Sequence, residues 1–575
     1  LPNYITLDIR PFFIFDSLTT INSQTNMTIK NFVVVFLLFI CFGNKALFSQ
    51  QTVGLFSNTI DSYNGYTLFA PMFSTTTYLI DNCGEKVHSW NSAYKPGISV
   101  YFLEDGTLLR TRNTKNSTFT AGGSGGGIEM LDWNGNVIWD YTISSATECQ
   151  HHDIEYLPNG NILAIVWDSK TQAEAIQAGR TTSGSTLWSE KIIEIQPDLV
   201  NGGGTIVWEW KAWDHLVQDF DNTKDNFGTV STSPELLDVN FTSGNPTNED
   251  WLHINSIDYN TTFDQIILSS HSFSEVWIID HSTSTAQASS HTGGTFNKGG
   301  DLLYRWGNPQ TYDQGTGADQ LLYKQHDACW IEDSYTDGGM VMIFNNQAGT
   351  PSNYSEVNVI DPPVDVNGNY TYSGTTYLPS SFHWIYQAPT PTNFYASHIS
   401  GAQRLPNGNT LICDGTAGTF FEVDYSGSTV WEYVNPVSQS GIIAQGDPVI
   451  QNIVFRSYRY PINYNGFNGQ TITPQGYIET GSTYSCTLYP TGINENIVNS
   501  EISVYPNPFY NQITMEGNKA ELKEIIIYNT LGQNVTALTK QILINVNQIM
   551  IDLSKLDTGI YYIKTKTTAN KVYKQ

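Results

Sequence analysis

The sequence predicts an all-β protein, an about six-bladed β-propeller followed by a small C-terminal β-sandwich, and three features carry that expectation. The 575 residues include 47 glycines, 33 tyrosines, 27 phenylalanines and 14 tryptophans against only 14% charged residues. Such a composition suits pleated, half-buried surfaces joined by tight turns. Stretches such as 99–113 and 254–279 hold no sustained 3.6-residue period and read as short alternating runs broken by turns. The third feature is a phrase that recurs along the middle of the chain.

That phrase is an apolar strand, an Asp-x-x-Gly type of turn, then Val/Ile-Trp, followed after a gap by a histidine-led strand ending in Pro-Asn-Gly-Asn or Glu-Asp-Gly. Glu129-Met-Leu-Asp-Trp-Asn-Gly-Asn-Val-Ile-Trp139 leads to His152-Asp-Ile-Glu-Tyr-Leu-Pro-Asn-Gly-Asn161. His398-Ile-Ser-Gly-Ala-Gln-Arg-Leu-Pro-Asn-Gly-Asn409 leads to Phe421-Glu-Val-Asp-Tyr-Ser-Gly-Ser-Thr-Val-Trp431, and an earlier copy ends at Trp90. Antiparallel units that cannot bury their faces singly stack radially. Residues 52–480, at roughly 60–75 residues per blade, give about six blades, and five or seven fit the same irregular spacing. In such a ring the innermost strands line one axial channel, so residues at matching repeat positions converge there.

The chain carries 54 acidic against 27 basic residues, a net charge of −27, which disfavours nucleic acid and anionic lipid as partners. Its first methionine is Met27, followed by Lys30, the apolar run 32–42 and Ala46-Leu-Phe-Ser49. A basic start, an apolar run too short to span a bilayer and a small residue at its end describe a signal peptide over 27–49, with 1–26 as a non-native upstream extension. No later segment is apolar enough to be an integral membrane helix. With Cys41 in the signal, Cys83, Cys149, Cys329, Cys413 and Cys486 remain, none at metal-ligand spacing. One or two disulfides suit an exported protein, and the sequence does not assign their pairing.

The domain expectation is a propeller over 52–486, a linker over 487–500 and a separate module over 501–575. The last contains Val504-Tyr-Pro-Asn-Pro508, Tyr528-Asn-Thr-Leu-Gly-Gln533 and Leu556-Asp-Thr-Gly-Ile-Tyr-Tyr-Ile-Lys564. In order and spacing these resemble the C-terminal sorting domain of type IX secretion cargo. The resemblance implies the type IX machinery as a partner, and a location outside a Gram-negative cell, secreted or on the outer-membrane surface.

Four of the eleven histidines begin strands at equivalent repeat positions: His152, His253, His326 and His398. His152 and His326 are each followed by aspartate, Asp153 and Asp327. Because alternate strand residues face opposite ways, each aspartate is expected to orient a group from another blade, and His151 to point away from His152. His271, His281 and His291 read as loop or core residues, and His88, His215 and His383 have no recurring context. The glycine run 122–127 lacks the lysine and helix of a phosphate loop and reads as a flexible turn.

His253-Ile-Asn-Ser-Ile-Asp-Tyr259, Gln325-His-Asp-Ala-Cys-Trp-Ile331 with Phe344-Asn-Asn346, and Ser397-His-Ile-Ser-Gly401 resemble the aryl-sulfate sulfotransferases. Gly300-Asp-Leu-Leu-Tyr-Arg-Trp-Gly-Asn-Pro309 and Val454-Phe-Arg-Ser-Tyr-Arg-Tyr460 extend the likeness over most of 52–480. The resemblance implies a six-bladed propeller that moves a sulfuryl group from a small aryl sulfate to a phenol without a nucleotide donor, cofactor or metal. It makes His398 the nucleophile of a ping-pong sulfohistidine mechanism, with His253 and His326 as catalytic partners that bind the sulfonate oxygens or shuttle the phenolic proton. His152, at the matching repeat position, and Arg404 are expected to bind substrate beside them. One departure stands out. The family pattern has an arginine after the second histidine, where this chain reads Phe344-Asn-Asn-Gln-Ala-Gly-Thr-Pro351. Arg404, Arg305, Arg456 and Arg459 are the candidates to replace it, since a bidentate guanidinium suits a sulfate-like anion.

Two other readings use the same residues. A non-catalytic surface propeller could hold a ligand with its channel histidines, and a metal-dependent hydrolase could use His–Asp pairs as ligands.

Overall fold

The alternating runs assemble into an almost wholly β chain. A computed structural model describes residues 51–349, 353–482, 484–489, 503–516, 522, 525–530, 533–545, 548–565 and 569–575. The expected extension and signal peptide (1–26 and 27–49), and most of the expected linker at 487–500, lie outside these residues.

Six antiparallel sheets of four or five strands occupy residues 54–461. Five of them start with β1 (Pro96–Phe102), β2 (Glu148–Tyr156), β3 (Ile254–Asn260), β4 (His326–Trp330) and β5 (Gly401–Arg404), and each then runs outward through successive hairpins. In the sixth sheet the corresponding strand, β6 (Val454–Pro461), comes from the end of the ring and pairs with Gly65–Pro71. These six strands touch in cyclic order, β1 to β2 and onward to β6, which meets β1 again. The sheet led by β5 also takes Gly54–Asn58 as a fifth strand beside Thr429–Val434, so both ends of the ring are interlocked.

The recurring tryptophan now has a physical reason. In each sheet the fourth strand carries a tryptophan whose indole N–H donates to the turn before the fourth strand of the next sheet. Trp90 reaches Asp132 O at 3.1 Å, Trp139 reaches Gly203 O at 2.6 Å and Trp208 reaches Thr283 Oγ1 at 3.2 Å. Trp306 reaches Pro379 O at 2.7 Å, Trp384 reaches Tyr425 O at 3.0 Å, and Trp431 returns to Asn82 O at 2.8 Å. All six indoles are buried, so each donor needs a partner, and the next sheet supplies it.

Cys83 and Cys486 form a disulfide, which resolves the pairing that the sequence left open; Cys149, Cys329 and Cys413 are free. The C-terminal residues form two further sheets. A four-stranded sheet (order Ser503–Tyr505, Gln512–Glu516, Gln548–Asp552, Lys540–Asn545) and a three-stranded sheet (Ile526–Asn529, Gly559–Lys564, Ala569–Lys574) share a core that includes Ile513, Ile527, Ile551 and Ile563. Among the described residues no helix is long and apolar enough to cross a membrane.

Candidate active site

A regular strand would send neighbouring side chains to opposite faces, but the inner strands are not regular where the histidines sit. His152, His253, Asp327 and Ile399 have φ of 49°, 51°, 54° and 50°, each in the left-handed region. Ladder register slips at these points in β2, β3 and β4. Left-handed conformation is costly for a residue with a Cβ, and most of all for β-branched Ile399. Each break re-aims a side chain at the axis, as β-bulges beside sites do.

Three of the four strand-leading histidines are linked by ring contacts, by way of a histidine outside the repeat positions. His152 and His253 have ring centroids 4.6 Å apart, His253 and His271 are 5.0 Å apart, and His271 and His326 are 5.5 Å apart. His398 immediately precedes Ile399, whose backbone N–H donates to His326 Nε2 at 3.1 Å. Sequence reasoning placed His271 in a loop or core. It does follow a strand end, but that turn delivers its ring into the cluster.

Each imidazole has a different attachment. Asp250 Oδ2 accepts from His253 Nδ1 at 2.5 Å, while its Oδ1 accepts from Trp167 Nε1 at 3.1 Å, so the carboxylate sets the ring's tautomer. His326 is held at both nitrogens. Its Nδ1 donates to Asn346 Oδ1 at 2.8 Å, an orientation fixed because Asn346 Nδ2 donates to Ala396 O and Ile399 O. His398 pairs through Nδ1 with Ser397 Oγ at 2.8 Å and is the solvent-exposed member.

His151 does not point away from His152. The left-handed φ at His152 brings their Nδ1 atoms to 2.8 Å, and His151 Nε2 lies 3.3 Å from the buried Glu190 carboxylate. Burial pushes Glu190 well above the usual carboxylate range. Gly123 makes room for this column, because a Cβ there would lie 2.1 Å from His152 Cε1. The glycine run is thus a close-approach surface as well as a turn.

Burial holds His152, His271 and His326 well below the ordinary histidine range, and repulsion from neighbouring imidazoles adds to it. His398 is also lowered, by burial first, with Asp414 opposing and His253 assisting. These rings therefore favour the neutral form, and those whose second nitrogen is not already engaged keep a nucleophilic or basic nitrogen.

None of the four candidate arginines reaches this cluster free. Arg404 donates to Asp337 at 2.7 Å and to Thr410 Oγ1 at 2.6 Å, with its guanidinium over Trp384 and Tyr425. It sits six residues along the chain from His398, at the far end of β5, so it does not join the imidazoles as a substrate ligand there. Arg305 pairs with Glu275 and Arg459 with Glu422. Arg456 bridges Asp153 at 2.5 Å and Asp327 at 3.0 Å, so those aspartates do hold a group from another sheet, but a guanidinium and not a histidine. The cation that acts electrostatically on His271 is Lys324. Its Nζ donates to Ser243 Oγ at 2.7 Å, and burial lowers it to about 8.

Two cavities lie near these residues. One of about 250 Å³ is lined by Ser243, Asp250, Trp251 and Ser272, which neighbour His253 and His271 in the chain. The other, of about 450 Å³, is lined by Tyr101, Asp258, Asp327, Arg404, Arg456 and Arg459 among others. There burial raises Asp258 to about 7 and Asp327 to about 6.

Asp250, Asn346, Lys324 and Glu190 escaped the sequence reading as site residues. Asp250 lies three residues before His253, and Asn346 sits in the stretch where the arginine is missing, which are faint signals; Glu190 offers none.

Residues 59–456 match the arylsulfotransferase (ASST) family, and residues 503–575 match the secretion-system C-terminal sorting domain. A search among curated proteins finds no match. Solved structures with similarity include a Bacteroides caccae protein of unknown function, 12% identical, covering 69% of this chain and 99% of that one at a TM-score of 0.37. A virginiamycin B lyase from Staphylococcus aureus is 12% identical over 68% of this chain and 90% of its own, at 0.31. Hydrazine synthase from Kuenenia stuttgartiensis is 14% identical over 54% and 71%, at 0.30. These structural likenesses are too distant to bear on function. The family match spans most of the chain, including all four strand-leading histidines, and its tail match is the address for export to the cell surface or beyond: the chain belongs to the arylsulfotransferase family and carries a type IX sorting domain.

Proposed function

We propose that the six sheets are the blades of a propeller over 52–486, that 501–575 is a β-sandwich that addresses the protein to the type IX machinery, and that the propeller transfers a sulfuryl group from an aryl sulfate to a phenol. The observation that carries the reaction is the convergence of the His152, His253, His271 and His326 imidazoles from several sheets, with the exposed His398 one residue before the Ile399 that His326 holds.

In the first half-reaction the His398 Nε2 lone pair forms a bond to sulfur while the sulfur–phenol oxygen bond breaks. The electron pair leaves on the phenol oxygen, which takes a proton from His253, and a sulfohistidine remains. In the second, His253 takes the acceptor's phenolic proton as its oxygen displaces His398 from sulfur. His253 therefore starts with a proton on both nitrogens, is neutral while the sulfohistidine stands and is charged again after the second transfer, and Asp250 stabilises its imidazolium in the two charged states. His152, its Nε2 left without a partner among the described residues, and Lys324 face the sulfonate oxygens. Lys324 replaces the missing arginine as a point charge, giving weaker and less directional hold. His326 positions the His398 segment.

Mixing the protein with 4-nitrophenyl sulfate should release a stoichiometric burst of nitrophenol and add one sulfuryl group to the peptide bearing His398. A protein that binds the ester with neither burst nor modification is a ligand-binding propeller instead, a reading favoured by the commitment of all four arginines to carboxylates.

A further inference from the structure

A second cluster lies away from the axis. Outer strand Gly204–Lys211 leads into a corner where His215 is fully buried, and the excursion between Glu275–Asp280 and Tyr304–Trp306 folds over it. His215 Nε2 lies 2.8 Å from Ala288 O, which can only accept, so this nitrogen carries the hydrogen. The Nδ1 of a neutral ring then bears a lone pair, yet it faces Asp301 Oδ1 at 2.7 Å, another electron-rich atom. Either a proton or a metal cation must lie between them. His291 Nδ1 converges on that same oxygen, also at 2.7 Å, and the three ligand atoms lie within 4.8 Å of one another.

We propose that His215, His291 and Asp301 form a binding site for a divalent transition metal, best suited to Zn²⁺. Two imidazole nitrogens and one carboxylate oxygen are a ligand set that zinc accepts, with water in the fourth position. An imidazole whose remote N–H is fixed on a backbone carbonyl is the usual outer arrangement of a metal-bound histidine. Trp210 stacks parallel to His215 and donates to Gly300 O at 2.7 Å, so the buried side of the site is preset. A Cβ at Gly300 would lie 2.5 Å from His215 Nε2, so that backbone closes tightly over the ring. Tetrahedral zinc needs ligand atoms about 3.3 Å apart at bond lengths near 2.0 Å. Both 2.7 Å contacts to Asp301 would therefore open by about 0.6 Å on binding, and His291, with a side chain 59% exposed, is the ligand freest to move. The ion would staple the 281–303 excursion to the neighbouring sheet, a structural role independent of sulfuryl transfer. The sequence hid the site because its ligands come from two sheets and share no short motif.

The test uses the full chain stripped with EDTA, then titrated with Zn²⁺ by calorimetry and with Co²⁺ by visible absorption. The expected result is one tight equivalent, cobalt bands of a four- or five-coordinate site, and a thermal midpoint that rises with zinc. His291→Ala, at an exposed position, should fold normally and bind at least roughly tenfold more weakly. Absence of stoichiometric binding in the wild type overturns the proposal and leaves His215 as an imidazolium paired with Asp301. So does zinc binding that survives His291→Ala but is lost in His253→Ala, which would place the ion at the axial imidazoles.

Discussion

The backbone N–H of Ile399 donates to His326 Nε2 at 3.1 Å, so the imidazole beside the proposed nucleophile has no lone pair left to offer a substrate. His326 and Asn346 together fasten a left-handed residue one position beyond His398. The chemistry proposed for His398 depends on that fastening, because a relaxed Ile399 would swing the adjacent side chain off the axis.

Asn346→Ala should therefore lower kcat by about 10–100-fold while changing KM little. It also removes one of two donors from Ala396 O, which keeps Ser355 Oγ, and the donor from the buried Ile399 O, at a cost of about 1–3 kcal/mol. Steady-state kinetics with 4-nitrophenyl sulfate and a denaturant midpoint check both halves. An Asn346→Ala protein with unchanged kcat would show that the clamp does not aim His398.

Asp250→Asn tests the proton-carrying role of His253. The amide keeps shape but removes the charge beside Nδ1 and permits the wrong tautomer, so kcat should fall by about 10–100-fold. His253→Ala in the same background should cost little more, because the two act as one unit. Full additivity of the two losses would separate them.

Acid limbs in the pH profiles should lie below the ordinary histidine value of about 6.5. Burial lowers His398, so on raising the pH its ring loses its proton early, and single-turnover nitrophenol release should already be at plateau by that pH. The sign for stability follows from the same shifts. His152, His271 and His326 are depressed in the fold, so their contribution is present above the unfolded value and is lost as pH falls from about 6.5 towards the folded values, since only the unfolded chain gains those protons. Asp258 and Asp327 are raised and act in the opposite sense, their contribution being full below the unfolded carboxylate range and gone above about 7 and about 6. Replacing either aspartate with asparagine should make the acid-side loss steeper in thermal scans.

Much of this arrangement is legible in the sequence, and the illegible part has identifiable causes. The Val/Ile-Trp phrase marks the fourth strand because each indole needs both an apolar bed and an acceptor from the next sheet, two demands that few residues satisfy. His152, His253, His326 and His398 are visible for the same reason: repetition reports geometry. The prediction for His151 failed because strand alternation holds only while φ stays negative, and no propensity marks His152 as left-handed. Arg404 looked available because charge is visible in a sequence and commitment is not; Asp337, which claims it, lies in the turn between His326–Trp330 and Val341–Asn345 of the neighbouring sheet. Asp250, Asn346 and Glu190 each serve one histidine only, so repetition cannot expose them.

Reducing the Cys83–Cys486 disulfide should destabilise the ring by about 2–4 kcal/mol. The bond closes a loop of sequence separation 403, and it anchors the segment from which Tyr484 Oη accepts the Leu55 N–H beside the fifth strand. The Cys83→Ser, Cys486→Ser pair should reproduce the effect of reductant, seen as a lower thermal midpoint with unchanged sulfuryl transfer below it. A reductant effect that persists in the double variant would have to come from elsewhere.

Gly123→Ala separates the site from the scaffold most sharply. The position has φ of 83°, and an added methyl would lie 2.1–2.3 Å from three atoms of the His152 ring. His152 cannot retreat along its own plane, because its Nδ1 is tied to His151 and its face lies against His253. The substitution should displace the ring, lowering transfer by at least about tenfold, with a cost to folding of about 1–3 kcal/mol from overpacking. His152→Ala should restore the overpacking part of the folding loss in the Gly123→Ala background, since the atoms that clash are then gone, but not the cost of alanine at φ 83°, and it should not restore activity. If activity returns with stability, His152 is only packing against the glycine and the sulfonate is held by the remaining imidazoles and Lys324.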